Sequence, residues 1–352
     1  MIQASYFKRN LIFKQPAGTS RGVLTTKDVF YLQLVENKNP TNIGIGEIAP
    51  IPKLSPDAVP ELEEKISDFV QKINNTKEIS DDELVDFPAM RFGYETALKG
   101  VKTKSPVLLY PTDFTTGNTG IPINGLIWMG TKEAMLQQVE EKLAAGFTCL
   151  KLKIGAIDFD AELDILRSIR KRFPAEQLEI RVDANGAFPA EKALSVLEKL
   201  ATFQLHSIEQ PIKAGQISEM HSLCAESPLP VALDEELIGI INLAEKKQLL
   251  DDIQPQYIIL KPTLAGGIKA SEEWISLAEE RGIGWWVTSA LESNIGLNAI
   301  AQWTATLGTS NFQGLGTGAL FTNNIESPLH VSKGFLRYNP DKNWDLEWLT
   351  KR

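Results

Sequence analysis

From about residue 121 onward, short β-forming apolar runs alternate with stretches whose apolar residues recur at helical spacing. The runs IPINGLI, TCLKLKIG, EIRVD, SIEQP, VALDEE, YIILKP, GIGWWVTSA and NFQGLGTG read as strands. Between them lie helical stripes: Met135, Val139 and Leu143; Leu163, Leu166, Ile169 and Phe173; Leu194, Leu197 and Leu200; Trp274 and Leu277. Counting from IPINGLI gives eight strands with seven full helices between them, so the pattern predicts an α/β, TIM-like barrel over 121–320. Residues 1–120 lack this rhythm. There VFYLQLVE at 29–36 reads as a strand, and 58–74 reads as an amphipathic helix through Leu62, Ile66, Phe69, Val70 and Ile73, which predicts a smaller α+β domain. Two stretches read as irregular: AGTSRGVLTTK at 17–27, expected to be flexible, and GIGEIAPIPKLSP at 44–56. Either is placed to cover a site. The tail 321–352 ends in NWDLEWL and is expected to pack on the first domain.

Composition narrows the class without changing this picture. The 352 residues suit one barrel and one smaller domain, with 23% charged and 43% apolar residues and no low-complexity stretch. The formal charge of −9 is offset by no basic block, so nucleic acid and anionic membrane are excluded as expected partners. No apolar run is long enough to span a bilayer, and MIQASYFKRN has no signal-peptide core, so a cytoplasmic location is expected. Cys149 and Cys224 read as buried free thiols, and His206, His221 and His330 match no zinc-ligand spacing. The oligomeric state is left open.

Five of the strand-like runs end in charge at a steady interval. From Lys153 to Asp183, Glu209, Asp234 and Lys261 the steps are 30, 26, 25 and 27 residues, the length of one βα unit. In a barrel all strand ends open on one face, so three carboxylates would converge between lysines. One such acid could be a solvated loop carboxylate or a helix cap; three at consecutive periods predict a hard divalent cation, held by Asp183, Glu209 and Asp234. Magnesium suits three monodentate carboxylates best. Lys151 and Lys153 share a direction on their strand, into the barrel. Beside a metal and another lysine, Lys153 is expected to have a lowered pKa and to serve as a base, with Lys151 modulating it or holding a substrate carboxylate. An exposed polar KLK face is the alternative. Lys261 ends an apolar run at the barrel mouth and reads as a site residue. Asn185 shares the direction of Asp183 and could orient a ligand carboxylate; Glu235 could pair with Lys261; Arg181 also points inward and could meet a substrate anion. The glycines of GLGTG, Gly314 and Gly316 among them, leave backbone amides free for an anion.

Together these motifs resemble the enolase superfamily, in particular its muconate-lactonizing subgroup, whose sites carry a KxK pair, a D/E/D triad and an opposing lysine. The resemblance spans the whole chain and implies an N-terminal capping domain over a (β/α)7β barrel, with Mg2+ as cofactor and Mn2+ as a substitute. SRGVLTTK at 20–27, RVDANGAF at 181–188, TSALESNIGLNAIAQW at 288–303 and GLGTGALFTNN at 314–324 are closest to members that aromatise a succinyl-bearing cyclohexadiene carboxylate. That likeness implies a small-molecule carboxylate substrate and a syn elimination. In it Lys153 removes a proton and returns it to the departing hydroxyl, and Lys261 stabilises the intermediate as a cation. It also implies that Ser289 and the Gly314 and Gly316 backbone contact the succinyl group while Arg21 and its loop close over the substrate. Other members epimerise dipeptides or racemise N-acylamino acids. The D-x-D pattern of dipeptide epimerases is replaced here by GLGTGAL, which disfavours dipeptides and leaves N-acylamino acids open. A noncatalytic metal-binding barrel would be favoured by the loss of a lysine or carboxylate, and none is missing.

Overall fold

The computed structural model describes residues 2–19, 22–75 and 79–349. It opens with a small antiparallel sheet in the order β1 (Ile2–Thr19), β2 (Gly22–Glu36), β3 (Asn39–Ile48), with α1 (Leu62–Asn75) and α2 (Pro88–Thr103) on one face. Alternation along β2 sorts its side chains. Phe30, Leu32 and Leu34 pack against Ile66, Phe69, Met90 and Ala97 of the helices, while Val29 and Tyr31 face Leu291, Ile295 and Phe321 on the other side. Both faces are therefore buried, which is why Val29–Val35 reads as an apolar run interrupted only by Gln33.

Two expectations for this region are corrected. Residues 17–19 and 22–27, read as part of a flexible loop, belong to the paired ends of β1 and β2, with Ala17 opposite Leu24 and Thr19 opposite Gly22. The first half of 44–56 is strand, not irregular chain. Gly44 and Gly46 stand where α2 presses on β3: a Cβ at either would come within 1.8 Å of the Ala97 carbonyl oxygen or 1.7 Å of the Gly93 one. These glycines permit close packing and do not break the strand.

After β4 (Gly120–Pro122) the chain enters a curled sheet of parallel strands: β5 (Gly125–Ile127), β6 (Cys149–Lys153), β7 (Glu179–Asp183), β8 (Ser207–Glu209), β9 (Val231–Leu233), β10 (Tyr257–Leu260) and β11 (Gly284–Val287), neighbours in chain order. The crossovers are α3 (Lys132–Ala144), α4 (Phe159–Arg172), α5 (Ala190–Ala201), α6 (Ile217–Glu226), α7 (Leu243–Ile253), the short α8 (Pro262–Ala265) and α9 (Gly267–Glu279); α10 (Asn294–Thr304) follows β11. Their apolar stripes and the outward strand residues form the largest core, with Leu150, Leu166, Ile180, Leu197 and Trp303 in it.

The fold is thus α/β, a curled parallel sheet with a small antiparallel domain before it. IPINGLI divides between two sheets, since Gly120–Pro122 pairs elsewhere. NFQGLGTG forms no named strand; Gln313 bridges to Ile123 and Gly314 to Thr288, which places the segment between the two edges of the parallel sheet. The tail divides between the two parts of the fold. Its start and end meet the first sheet: Phe321 bridges to Phe13, Thr322 N donates to the Ile12 carbonyl, and Ile325, Trp344, Leu346 and Trp348 pack there. Its hairpin, β12 (Leu329–Ser332) and β13 (Phe335–Tyr338), pairs with β4 and buries Leu336 and Tyr338 in the barrel-side core. No helix among the described residues is long and apolar enough to cross a membrane.

Candidate active site

Parallel register assembles the site. Lys153, Asp183 and Glu209 are the last residues of β6, β7 and β8 and stand opposite one another in sequence of strands, while Asp234 and Lys261 follow directly on β9 and β10. The charges gather at the carboxyl ends of successive strands because each βα unit has nearly the same length. Lys153 Nζ donates to Asp183 Oδ2 at 2.6 Å and to Asn185 Oδ1 at 2.7 Å. Lys151 Nζ is 2.8 Å from the same Asp183 oxygen and also bonds Glu209; Lys261 bonds Asp234. Lys261 bonds Asp234 directly, while Glu235 Oε1 accepts from Asn185 Nδ2 at 3.0 Å and supports the Lys261 ammonium through its nearby charge. Asn185 holds this bridge from a left-handed φ of 45°, a conformation Asn tolerates better than most residues. Its side-chain oxygen thus accepts from Lys153 and its amide donates to Glu235, at the edge of the cavity.

Burial opposes the charge on every group here, and the partners decide the outcome. It would lower Lys151, but Asp183 and Glu209 outweigh it and hold the ammonium above its ordinary value. It would raise Asp183, but Lys151 and Lys153 hold that carboxyl well below the usual range. Glu209 is pushed well up, by burial first and by Asp183 next; Glu235 is pushed up to about 7, by burial and by Asp234. The cluster is short of positive charge. Glu209 Oε1 and Glu235 Oε2 are buried with no hydrogen-bond partner among the described residues. No three Asp, Glu, His or Cys side chains there form a ready metal cage, because the ammonium groups bridge them. The all-oxygen anionic donor set and the orphaned Glu209 oxygen nonetheless fit a hard divalent cation, and Asp183, Glu209 and Asp234 could hold one.

A cavity of about 280 Å³ lies over these groups, with Lys151, Lys153, Lys261, Asn185 and Glu235 in its lining. One wall is Ser289, Gly314 and Gly316; Gly314 is required there because a Cβ would stand 2.5 Å from Thr288 Oγ1. Gln15 and Gly18 of the first hairpin and Ile51 and Leu54 of the following connection complete the rim. Arg181 does not reach this cavity. Two residues below Asp183, it is 3% exposed, donates to Glu179 Oε1 (2.7 Å) and the Phe312 carbonyl (2.9 Å), and lies 4.2 Å from the Trp286 ring. Its charge is spent in the barrel floor. Arg21 lies outside the described residues.

Among the lining residues that went unread in the sequence are two with a buried polar side-chain oxygen. Asn124 Oδ1 and Thr288 Oγ1 are buried in the cavity wall without partners among the described residues. The signal for Asn124 was available, as a polar residue at the parity of the inward Leu126, opposite Lys151.

Strand-end lysines and carboxylates beneath a cavity capped by a second domain define a metal-dependent enzyme of carboxylate chemistry. The enolase C-terminal domain-like family matches residues 134–342, and the chain belongs to the enolase superfamily. It is 48% identical to an o-succinylbenzoate synthase of Desulfotalea psychrophila, over 95% of this chain and 98% of that protein. The crystal structure of MenC from Desulfotalea psychrophila LSv54 superposes with a TM-score of 0.84 at 44% identity, covering 96% of this chain and 99% of that one. Muconate lactonizing enzyme from Pseudomonas fluorescens shares the fold at 21% identity, with a TM-score of 0.81 over 99% of this chain and 98% of that one.

Proposed function

We propose that this chain is a hydro-lyase that dehydrates 2-succinyl-6-hydroxy-2,4-cyclohexadiene-1-carboxylate to 2-succinylbenzoate, a step of menaquinone biosynthesis. The observation that carries this reading is the 48% identity over nearly the full length of both chains. The architecture is read as a (β/α)7β barrel over 121–320, its eighth strand supplied by the bridged segment at 313–314, under a capping domain of residues 1–120 joined by the end of the tail. Asp183, Glu209 and Asp234 hold Mg2+, with Mn2+ as a substitute; bound there, the cation supplies Lewis-acid stabilisation of negative charge on the substrate carboxylate. Lys153 takes the proton next to that carboxylate and returns it to the departing hydroxyl on the same face, oriented by Asn185. Lys261, from the opposite side, stays protonated and stabilises the anionic intermediate. Lys151 holds Asp183 and Glu209 in place. Ser289, Gly314 and Gly316 meet the succinyl arm, and Arg21 closes over it.

The test is turnover by exhaustively metal-depleted protein. It should be negligible and return with Mg2+, and full activity without metal would end the metal assignment. Wild-type protein should also dehydrate the cyclohexadiene with a far higher kcat/KM than it racemises any N-succinylamino acid. A preference for the amino acid would make racemisation the main activity.

A further inference from the structure

Three charged side chains outside the lysine and carboxylate cluster are buried where the first sheet meets the turn after β11. Lys27, on β2, is 2% exposed, and its Nζ donates to the carbonyl oxygens of Ala290 at 2.7 Å and Leu291 at 2.9 Å. Glu47, on β3, accepts from Ser293 N (2.7 Å), Ser293 Oγ (2.6 Å) and Gly296 N (2.7 Å), satisfying amides at the start of α10 from a different domain. Glu292 accepts from Ser289 Oγ (2.6 Å), Ala290 N (2.8 Å) and Thr263 Oγ1 (2.5 Å). Burial lowers Lys27 to about 8, and the nearby charges of Glu292 and Glu47 oppose that.

The turn held by Lys27 has an unusual backbone. Extended chain points successive carbonyls to opposite sides, so two in a row cannot meet one ammonium. Leu291 has a left-handed φ of 61°, which turns its carbonyl toward the same donor as that of Ala290. For a non-glycine residue this conformation costs on the order of 1–3 kcal/mol and persists only where its surroundings hold it. The link onward to the cavity is direct: the Leu291 amide donates to Ser289 Oγ at 3.1 Å, and Thr317 Oγ1 donates to that same oxygen at 2.7 Å. Ser289 and Leu291 both line the cavity.

We propose that Lys27 is a positioning residue, an ammonium clamp from the first sheet that holds the 290–291 carbonyls and thereby fixes Ser289 in the wall against which the substrate's succinyl arm lies. This rests on the dehydratase reading above. Without the ammonium, two buried carbonyls lose their donor, the turn relaxes from its left-handed conformation, and Ser289 leaves its place. Binding of the arm suffers more than the proton transfers at Lys153, which the turn does not touch.

Lys27→Met keeps the apolar stem and removes the clamp. Its KM for 2-succinyl-6-hydroxy-2,4-cyclohexadiene-1-carboxylate should rise about tenfold, with kcat changed by less than about threefold. A cycle with Ser289→Ala separates positioning from plain stability. Ser289→Ala should lower kcat/KM about tenfold in the wild type and no more than about twofold in Lys27→Met, since the wall is already lost. Unchanged KM with a lowered Tm, or effects that simply multiply, would overturn the proposal. If Lys27→Met fails to fold, Lys27→Gln, which retains an amide donor, goes through the same cycle. Failure of both to fold assigns Lys27 to stability alone and also overturns it. Wild-type protein that does not turn over this substrate refutes the dehydratase reading itself, a result visible before any variant is made.

Discussion

Lysine and arginine carry the same charge but differ in whether they can give it up, and that difference tests Lys261. An elimination on one face needs a single acid and base, so the opposing cation can keep its proton throughout, whereas racemisation needs it to exchange a proton with substrate. Lys261→Arg retains a positive charge beside Asp234 but cannot act as a base near neutral pH. This variant should keep part of its succinylbenzoate-forming activity and lose any racemisation of N-succinylamino acids, as read by product formation and by loss of optical rotation. Lys153→Ala, by contrast, removes base and acid together and should lose several powers of ten in kcat. An active Lys153→Ala protein would mean another group moves the proton. At this scale the sequence was most legible for residues whose environment is set by their own strand. Lys151, Lys153 and Asp183 share one parity on adjacent strands, and parity is local. Arg181 obeys the same parity yet lies one layer too deep, because the depth at which a barrel closes depends on Trp286 and Phe312 from distant elements.

At the scale of elements, helix α2 has no cap of its own. Phe87 precedes Pro88 and offers no side-chain acceptor, and Asp57, from the connection before α1, supplies one. Its Oδ2 accepts from Ala89 N at 2.8 Å and Met90 N at 3.2 Å, while Oδ1 is buried without a partner among the described residues. Burial outweighs those two bonds and pushes the carboxyl up to about 6. A folded value above the unfolded one means the folded state holds the proton more tightly, so stability is lost as pH rises through this window. Between pH 4 and 6.5 the wild type should lose up to about 3 kcal/mol relative to Asp57→Asn. Urea unfolding at both pH values measures this; parallel behaviour of the two proteins would show that the carboxyl is not strained. No local signal marks Asp57, which acts 32 residues away. Gly44 and Gly46 were visible but ambiguous, since the residue that breaks strands is also the one that lets a helix lie against them.

Across the whole molecule, the first sheet is held between its own helices and the barrel side, and the end of the tail fastens one border of it. The Trp348 ring lies 4.8 Å from Tyr31 and 6.0 Å from Phe7. Trp348→Ala should destabilise the protein by about 2 kcal/mol, less than a fully buried tryptophan because Trp348 is half-buried. A thermal melt will show it, and an unchanged Tm would mean that the sheet is held without the tail. Through Lys27, whose Nζ donates to the Ala290 and Leu291 carbonyls, this same sheet reaches the cavity wall, so its attachment bears on turnover as well as on stability.

The sequence by itself determined the class of fold and the chemistry at the strand ends. Both follow from properties local to the chain: the period of apolar residues, the near-constant length of a βα unit and the kind of side chain that ends each strand. Only the tertiary structure decided which lysine meets which carboxylate, that Glu235 is bound by Asn185, that Arg181 is consumed in the floor and that Lys27 reaches the carbonyls of a turn 263 residues away. Those outcomes depend on register between distant strands and on burial. Burial makes an unpaired charge costly enough that each group takes whichever partner the closed structure brings within reach.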